Sequence, residues 1–356
     1  MYKVKIYGAG SIGNHLGHAA RVLNWEVDIC DIDKKALDRT RHEIYPARYG
    51  SWDEGINLYT SDAAPRGGYD LVFVGTPPDS HVDLAISAIQ EGAKAVLLEK
   101  PVCGPGRERV KELSDLAAAK NVHTFVGYDH VVGDATKKVE EIAGSGALGD
   151  IQTLDVEFRE YWGGIFAAHP WLDGPADSYL GYWQRGGGAA GEHSHAINLW
   201  QHLAHIIGAG RVTRVNADAE YYSDGTVEYD KMCMMNLTTE NGLLGRVIQD
   251  VVTAPPRKWG RIQGSKGFVE WNFGIKPGLD QVIWNIDNKG EEVFDVQKTR
   301  PDDFIAELRH IEGVLSGSIG KSPISLERGL DTMAVISAAH QSAREQRSIE
   351  TNYIHN

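Results

Sequence analysis

The chain has 356 residues, of which 42% are hydrophobic and 24% are charged, and this composition excludes a disordered, collagen-like or coiled-coil protein. The length is more than twice that of an average domain, which predicts two domains or one large one. Lys and Arg number 36 against 49 Asp and Glu, and since the resulting net charge of −13 would repel a phosphate backbone, we expect no nucleic-acid partner.

The cysteine pattern indicates a reducing compartment, and the hydropathy pattern indicates a chain without a membrane span. Cys30, Cys103 and Cys233 lie far apart without a CxxC pair, so we predict that they are buried thiols rather than disulfide or zinc ligands. The chain opens on a strand-like pattern, shows no export signal and contains no apolar run of membrane-spanning length. We therefore expect a cytoplasmic protein without a membrane partner.

The first predicted strand and helix enclose a glycine-rich turn. Residues 3–7 predict a strand and 14–23 a helix, and Gly8-Ala9-Gly10-Ser11-Ile12-Gly13 joins them. In this setting GxGxxG is typical of a dinucleotide site: Gly8 permits the tight turn, Gly10 lets backbone approach a pyrophosphate, and Gly13 lets helix pack on strand. The helix N-terminus attracts phosphate charge, so we place the three glycines, Ser11 and Ile12 in a cofactor site.

An acidic residue follows the second predicted strand. That strand, over 25–30, ends at Asp31, which lies 18 residues beyond Gly13, where an acid is expected to bind the adenosine ribose diol. This spacing favours NAD over NADP. Alternatively, Asp31 caps the helix that starts near Asp33, and the two lysines that follow leave NADP possible.

A third apolar strand leads to further cofactor candidates. Residues 69–75 form a nearly continuous apolar run, as buried parallel strands do, and a helix follows from about His81. Because two prolines after Thr76 cannot extend a ladder, the chain must leave the sheet at its carboxyl end, where ligands of dinucleotide folds bind. We assign Thr76, Pro77 and His81 to the cofactor site, although His81 would also suit a polar edge position.

Further βα units complete the first domain. They are a strand over 93–98, a helix over 107–119 and a strand over 122–126, with Glu99-Lys100-Pro101 after the first of these strands. Repeated units of this kind predict a doubly wound parallel sheet. Asp129 and His130 fall just beyond the last strand, as site residues or as polar edge residues.

Three motifs in this order, GxGxxG at 8–13, Thr-Pro-Pro-Asp-Ser-His at 76–81 and Glu-Lys-Pro at 99–101, resemble the Gfo/Idh/MocA family of glucose-fructose oxidoreductase, inositol dehydrogenase and rhizopine-catabolism proteins. The resemblance continues to the C-terminal stretch and covers nearly the whole chain. It implies an α/β Rossmann domain over 1–130, followed by an α+β substrate-binding and oligomerisation domain over 131–356, whose last helical segment can pack near the Rossmann domain. It also implies a nicotinamide-dependent oxidoreductase that acts on a sugar, cyclitol or related polyol.

The resemblance also implies the catalytic groups. The family carries a lysine in its Glu-Lys-Pro motif and a histidine at the start of a C-terminal-domain helix, and Lys100 and His195 match them. Glu99 and Lys100 are then also cofactor contacts. The family's aspartate four residues before the histidine is Gly191 here, so the third catalytic group is Glu192 or His193.

The second domain has the pattern of a large β-sheet. After a helix near 136–143, strand-like runs cover 151–161, 211–222, 229–239, 243–253, 261–272 and 281–286. Turn signals at 240–242 and 288–290 predict hairpins. We expect a mostly antiparallel sheet with one open face, the face on which family members form dimers or tetramers.

Aromatic residues are dense in the irregular segment between 159 and 195. Flat rings suit the C–H faces of a sugar, so we assign Trp162 and Trp183 to the substrate site, together with Arg159, Tyr128, Lys100 and His195. Alternatively, the rings pack the loop or a subunit interface. The cations Arg159, Arg185, Arg257 and Lys258 either bind a substrate anion or are solvated.

The helix that starts at His195 contains two further histidines, His202 and His205, which we expect to be structural. The helix N-terminus disfavours the imidazolium form, which supports His195 as a neutral base. A divalent metal held by Glu192, His193 and His195 is an alternative, but no further ligand cluster is apparent and we predict no metal.

These residues predict a mechanism and two alternatives. His195 takes the hydroxyl proton while hydride leaves, Lys100 hydrogen-bonds the same oxygen, and Glu192 or His193 orients His195. The same scaffold also supports non-redox glycosidases that use bound NAD, and a catalytically silent sensor of NAD or a sugar is the alternative outside enzymes.

Overall fold

The computed structural model describes residues 1–167 and 169–354. The chain forms two compact units, one of residues 1–103, 108–129 and 300–327, and one of residues 104–107, 130–299 and 328–356. The change of unit at 129/130 lies one residue before the predicted domain boundary at 130/131. Residues 300–327 also belong to the first unit, although they lie far beyond residue 130 in the chain. Within this unit the ring of Phe304 stacks on that of His15, with centroids 4.8 Å apart.

The first unit has a six-stranded parallel sheet in the order β3-β2-β1-β4-β5-β6. The strands are β1 (Lys3–Tyr7), β2 (Glu26–Asp31), β3 (Ile56–Thr60), β4 (Leu71–Val74), β5 (Ala95–Leu98) and β6 (His123–Val126). The helices are α1 (Ser11–Val22), α2 (Lys34–Arg39), α3 (Tyr45–Tyr49), α4 (His81–Gln90), α5 (Val110–Lys120) and α10 (Arg300–Leu315). The predicted doubly wound parallel sheet is confirmed, and its strand order reverses between β1 and β4, where such folds bind ligands.

Two parts of this unit were not predicted. Strand β3 lies at the sheet edge with one fully buried residue, Ile56, so its apolar pattern is weak. The connection from β2 to β3 contains α2, a single π-helical turn at Thr40–Ile44, and α3. Stacking of Tyr49 on His18, with ring centroids 3.6 Å apart, fastens this connection to α1.

The second unit is organised around a nine-stranded sheet in the order β14-β13-β12-β11-β7-β10-β9-β8-β15. The strands are β7 (Ile151–Arg159), β8 (Val212–Ser223), β9 (Glu228–Thr239), β10 (Leu244–Asp250), β11 (Arg257–Gly264), β12 (Gly267–Lys276), β13 (Leu279–Ile286), β14 (Glu292–Gln297) and β15 (Ile349–Glu350). Only the β7–β10 pair is parallel, and both predicted hairpins are present, as β9–β10 and β13–β14. The predicted strand over 261–272 is wrong, because a turn at Ser265 and Lys266 divides it into β11 and β12.

The second unit also contains five α-helices of the described chain, four of which contact the sheet. They are α6 (Asp134–Gly144), α7 (Gly163–Ala167), α8 (Gly188–Glu192), α9 (His195–Ile206) and α11 (Leu326–Glu345). Helices α6, α8 and α9 pack on strands, and α11 is hydrogen-bonded to β8 through Ser342 and His340. Along β9, Cys233 and Met235 are buried whereas Met234 between them is 43% exposed, the alternation expected of a sheet with one open face.

Two simpler predictions concern the whole chain. All three cysteines are free and buried, as predicted. Among the described residues, no helix combines the length and the apolar character that a bilayer crossing requires.

Candidate active site

The glycine loop after β1 has the shape that a dinucleotide requires. Gly8 has a φ of +101°, and a Cβ there would lie 2.7 Å from the carbonyl oxygen of Gly75, while a Cβ on Gly13 would overlap the carbonyl oxygen of Gly8. A Cβ on Gly10 would meet no atom within 4 Å. Gly8 and Gly13 are thus required by the packing of strands and helix, whereas Gly10 leaves open space where a phosphate can approach the backbone.

Asp31 ends β2 beside this loop. Its carboxylate accepts hydrogen bonds from the backbone N–H of Ala9 at 2.7 Å and of Asp33 at 2.8 Å. The cap of α2 is Asp33 instead, whose side chain accepts from the N–H of Lys35 at 2.9 Å. Since the capping role belongs to Asp33, a half-exposed carboxylate stays fixed next to the glycine loop, as ribose recognition requires.

His81 ties together the two loops that leave β4 and β5. It has no exposed surface, and its ring nitrogens lie 2.6 Å from the carbonyl oxygen of Thr76 and 3.1 Å from that of Pro101. Burial lowers the pKa of His81 to about 4, so the ring is neutral at pH 7. His81 thus holds Thr76 and Pro101 in place from a buried position, and its contact with a cofactor remains a prediction.

Glu99 and Lys100 follow β5 at the same sheet edge. Lys100 is half-buried, and its peptide bond to Pro101 is cis. Both residues belong to the Glu-Lys-Pro motif at 99–101. The Glu99 carboxyl group lies so close to Gly127 that a Cβ there would come within 2.9 Å of its oxygen. Burial and the charge of Asp129 raise the pKa of Glu99 to about 8. Tyr128, a predicted substrate residue, is fully buried in the chain.

His195 is the first residue of α9, the helix-start position expected from the motif. Its half-buried ring stacks on His130 with centroids 4.6 Å apart. His130 in turn contacts the rings of Phe158 at 5.3 Å and Phe273 at 5.2 Å. An aromatic wall therefore limits the orientations of His195. From the sequence, His130 could be either a site residue or a polar edge residue, because its only signal was its place after a strand.

The two candidates for the third catalytic group differ in surroundings. The Glu192 carboxylate accepts a hydrogen bond from the Tyr179 hydroxyl at 3.2 Å, whereas His193 is buried and its carbonyl accepts from Gln249 Nε2 at 2.6 Å.

Glu160 is a further carboxylate whose charge interacts with these two residues. Burial would raise the pKa of Glu160, but Lys258 at 2.9 Å and the charge of His193 hold that pKa below its usual value. In the described part of the chain, the ligand atoms of Glu192, His193 and His195 do not converge at metal-binding spacing.

Asp230 is a site-supporting residue that the sequence analysis did not identify. Its buried carboxylate accepts from the backbone N–H of Ala190 at 2.8 Å, in the first turn of α8. It presses against Gly188, whose φ of +74° leaves no room for a side chain. Burial raises the pKa of Asp230 to about 7. Asp230 thereby positions the short helix that leads into His195, and a contact between residues 40 apart leaves no local sequence signal.

The predicted aromatic substrate residues are packed inside the second unit. Trp162 is 5% exposed in a cluster with Leu180, Ala189 and Val251. Trp183 is 9% exposed and lies 4.6 Å from the ring of His340. These contacts favour the alternative in which the rings pack the 159–195 segment.

Three of the four predicted anion-binding cations have carboxylate neighbours, and the fourth, Arg185, lies 5.5 Å from the centroid of the Tyr182 ring. Arg159 donates to Asp250 at 2.6 Å, Arg257 pairs with Glu157 at 3.1 Å, and Lys258 pairs with Glu160. Asp250 is fully buried and also accepts from the backbone N–H of Thr253 at 2.8 Å. Arg159, the last residue of β7, is therefore held against the turn that follows β10, and its place in the substrate site remains a prediction.

Comparisons with known proteins follow the same division of the chain. Residues 2–128 match the model of the oxidoreductase family with an NAD-binding Rossmann fold, and residues 136–270 match that of the GFO/IDH/MocA C-terminal domain. The scyllo-inositol 2-dehydrogenase (NADP(+)) of Bacillus subtilis is 24% identical over 306 residues, which span 79% of this chain and 78% of that protein.

Solved structures share the fold across nearly the full length. Levoglucosan dehydrogenase in complex with NADH and levoglucosan superposes with a TM-score of 0.79 at 17% identity, over 99% of this chain and 100% of that one. An Agrobacterium radiobacter oxidoreductase in complex with NAD+, L-tartaric acid and magnesium gives 0.78 at 20% identity, over 98% of both chains. The resemblance drawn from the three motifs is confirmed: the chain belongs to the Gfo/Idh/MocA family and is an oxidoreductase with an NAD-binding Rossmann fold.

Proposed function

We propose that the protein is an NAD(P)-dependent dehydrogenase of a secondary alcohol in a sugar, cyclitol or related polyol. The observation that carries the proposal is that Lys100 follows β5 at the same sheet edge as the open Gly10 loop and the Asp31 carboxylate. The relatives named for their substrates, scyllo-inositol and levoglucosan, support a polyhydroxylated ring as the substrate class.

The cofactor residues of the proposal are those of the glycine loop, Asp31 and the loops after β4 and β5. The Asp31 carboxylate would accept from the ribose hydroxyls and would repel a 2′-phosphate, which favours NAD. When bound, the nicotinamide accepts a hydride from the carbinol carbon or returns it. An NADP-dependent relative keeps NADP as the second candidate.

His195 is the general base of the proposed reaction. Its neutral imidazole takes the proton of the reacting hydroxyl as the C–H hydride departs, and gives it back in the reductive direction. Stacking on His130 holds the ring orientation, which matters because proton transfer requires a hydrogen-bonded geometry.

Lys100 donates a hydrogen bond to the reacting oxygen and stabilises the negative charge that develops there. Glu192 or His193 orients His195. The two candidates can be separated with Glu192→Gln and His193→Asn, because loss of the orienting group lowers kcat while cofactor affinity is preserved.

The test is formation of reduced nicotinamide, followed by absorbance, with NAD+ or NADP+ and a panel of inositols, anhydrosugars, aldoses, amino sugars, uronic acids and sugar nucleotides. We expect turnover on one class. His195→Asn and Lys100→Met should each lower kcat/KM by about 100- to 10,000-fold without a comparable loss of NAD+ affinity.

Two matched variants control for the loss of a histidine or a lysine. His202→Asn lies on the same helix as His195, with its ring nitrogen 2.6 Å from Glu140, and Lys94→Met removes an exposed lysine paired with Asp70. Both should retain activity. Bound NAD with no net reduction but cleavage of a glycoside would establish the non-redox glycosidase instead, and ligand binding without turnover that survives Lys100→Met would establish a sensor.

A further inference from the structure

Arg48 lies against the first turn of α1. Its Nη1 donates to the carbonyl oxygen of Ser11 at 2.9 Å and its Nη2 to the Ser11 hydroxyl at 2.8 Å. Ser11 is the first residue of α1 and belongs to the glycine loop. These bonds use two of the five guanidinium N–H groups, and within residues 1–167 and 169–354 the other three have no protein acceptor.

The charge of Arg48 is not neutralised by the protein. In the described chain no carboxylate lies within ion-pair distance of Arg48, whereas other arginines of its neighbourhood are paired, Arg21 with Asp53 and Arg41 with Glu54. Burial and the positive charge of Arg300 lower the pKa of Arg48. The two guanidinium groups repel each other near the N-terminus of α1. A bound anion would reduce this electrostatic repulsion.

Arg300 belongs to the same group of residues although it is far away in the chain. It is exposed, makes no ion pair with any described carboxylate, and lies 5.3 Å above the ring of Phe304. Phe304 stacks on His15 in the second turn of α1. The packing of α10 on α1 thereby brings a second unpaired arginine toward Arg48.

The connection that carries Arg48 is held rigidly. The Tyr49 hydroxyl lies 2.5 Å from His15 Nδ1, and the Thr40 hydroxyl donates to the carbonyl oxygen of Ala9 at 2.5 Å. Asn14 Nδ2 donates to Thr40 Oγ1 at 3.0 Å. Arg48 is therefore fixed in relation to the glycine loop before any ligand arrives, so little side-chain entropy is lost when the guanidinium binds.

We propose that Arg48 binds the pyrophosphate of the dinucleotide, with Arg300 adding positive charge at the same end of α1. The inference rests on the cofactor site of the proposed function. A guanidinium offers paired N–H donors that match phosphate oxygens. Arg48 is hydrogen-bonded to Ser11 at the N-terminus of α1, where a pyrophosphate would bind. A 2′-phosphate would instead lie near Asp31, the carboxylate at the end of β2 that is predicted to bind the ribose. We therefore assign the pyrophosphate, and not a 2′-phosphate, to Arg48.

The test is the equilibrium affinity of the purified full chain for NAD+, NADP+ and ADP-ribose, measured by calorimetry without substrate. Arg48→Gln should weaken all three by a similar factor of about 10- to 100-fold, and Arg48→Lys by less, because the charge stays but the planar fork is lost. Arg41→Gln is the matched control, an exposed arginine of the same connection, and should leave all three affinities unchanged.

The outcomes separate this inference from the proposed function. Unchanged affinities in Arg48→Gln, or a loss confined to NADP+, overturn the pyrophosphate assignment while the dehydrogenase proposal stands. A wild-type protein that binds none of the three ligands overturns the cofactor site itself. If Arg48→Gln does not fold, Arg300→Gln decides, since an exposed arginine can be replaced without loss of folding: equal weakening for NAD+ and NADP+ supports the proposal, and no weakening opposes it.

Discussion

Replacing Glu307 by glutamine should change the free energy of unfolding by an amount that becomes more favourable to the folded state as pH rises. Glu307 is 1% exposed on α10, and among the described residues neither carboxyl oxygen has a hydrogen-bond partner. Burial and the charges of Glu99, Asp129 and Asp303 raise the pKa of Glu307 well above its ordinary value of 4.5. The folded state therefore keeps this carboxyl protonated where the unfolded chain ionises it.

The size of the effect follows from linkage. A raised pKa means that the favourable contribution of the protonated group is complete below pH 4.5 and is lost as pH rises. As long as the folded state keeps the proton, each pH unit above 4.5 costs roughly 1.4 kcal/mol of stability. Glu307→Gln removes this cost. The unpaired amide adds a penalty of about 1–3 kcal/mol that does not depend on pH.

The diagnostic quantity is thus the slope of the stability difference with pH. We would measure the free energy of unfolding in urea for both proteins at pH 5, 6, 7 and 8. Glu312→Gln, a half-exposed position on the same helix, controls for the substitution itself. A difference that stays constant or shrinks with rising pH would refute the reasoning, because it would mean that Glu307 is ionised in the folded protein.

Two further substitutions test the packing of the first unit. Gly10→Ala should leave the melting temperature unchanged, since the new Cβ meets no atom within 4 Å, but should lower NAD+ affinity at least about 10-fold. Gly13→Ala should instead destabilise the fold, because its Cβ would overlap the carbonyl oxygen of Gly8. Unchanged NAD+ affinity in Gly10→Ala would contradict the cofactor geometry. Tyr69→Phe removes the 2.6 Å hydrogen bond from the Tyr69 hydroxyl to one oxygen of buried Asp28 and should cost about 1–3 kcal/mol in urea unfolding. Asn57 Nδ2 donates to the other oxygen at 2.8 Å and cannot replace the lost bond, so an unchanged free energy of unfolding would contradict the prediction.

The parts of this protein that sequence reasoning recovers are those with local signals. The strand, glycine loop and helix at 3–22 follow from spacing and from the conformational needs of Gly8 and Gly13, and the β9–β10 hairpin follows from Asn241 and Gly242. Asp31 follows from its distance to Gly13. In each case the interacting groups are close in sequence, or one rigid unit such as βαβ fixes their separation.

The parts that sequence reasoning does not recover depend on contacts between distant segments. Arg48 meets Ser11 across 37 positions, and His130 meets His195 across 65. An amphipathic pattern shows which face of α10 is buried but not which element covers it, so only the family resemblance, and no local signal, indicated that this segment can pack near the Rossmann domain. Burial also decides chemistry, because only packing reveals that Trp162 and Trp183 are enclosed by protein.

The first unit contains two unfavourable charge clusters of opposite sign, the arginines Arg48 and Arg300 and the carboxyl groups of Glu99, Asp129 and Glu307. Their opposite signs predict different ligands. The repulsion between Arg48 and Arg300 is one that an anion can relieve, so binding of a dinucleotide would return stability to the unit by mass action. The cluster of Glu99, Asp129 and Glu307 carboxyls would gain nothing from an anion, and its repulsion is reduced by protons and by the positive charge of Lys100. Since Glu99 precedes Lys100 in the chain, the protonation of this cluster alters the field at the proposed catalytic lysine. Glu307→Gln would therefore reach the reaction through Glu99, while Arg48→Gln would act on cofactor affinity alone.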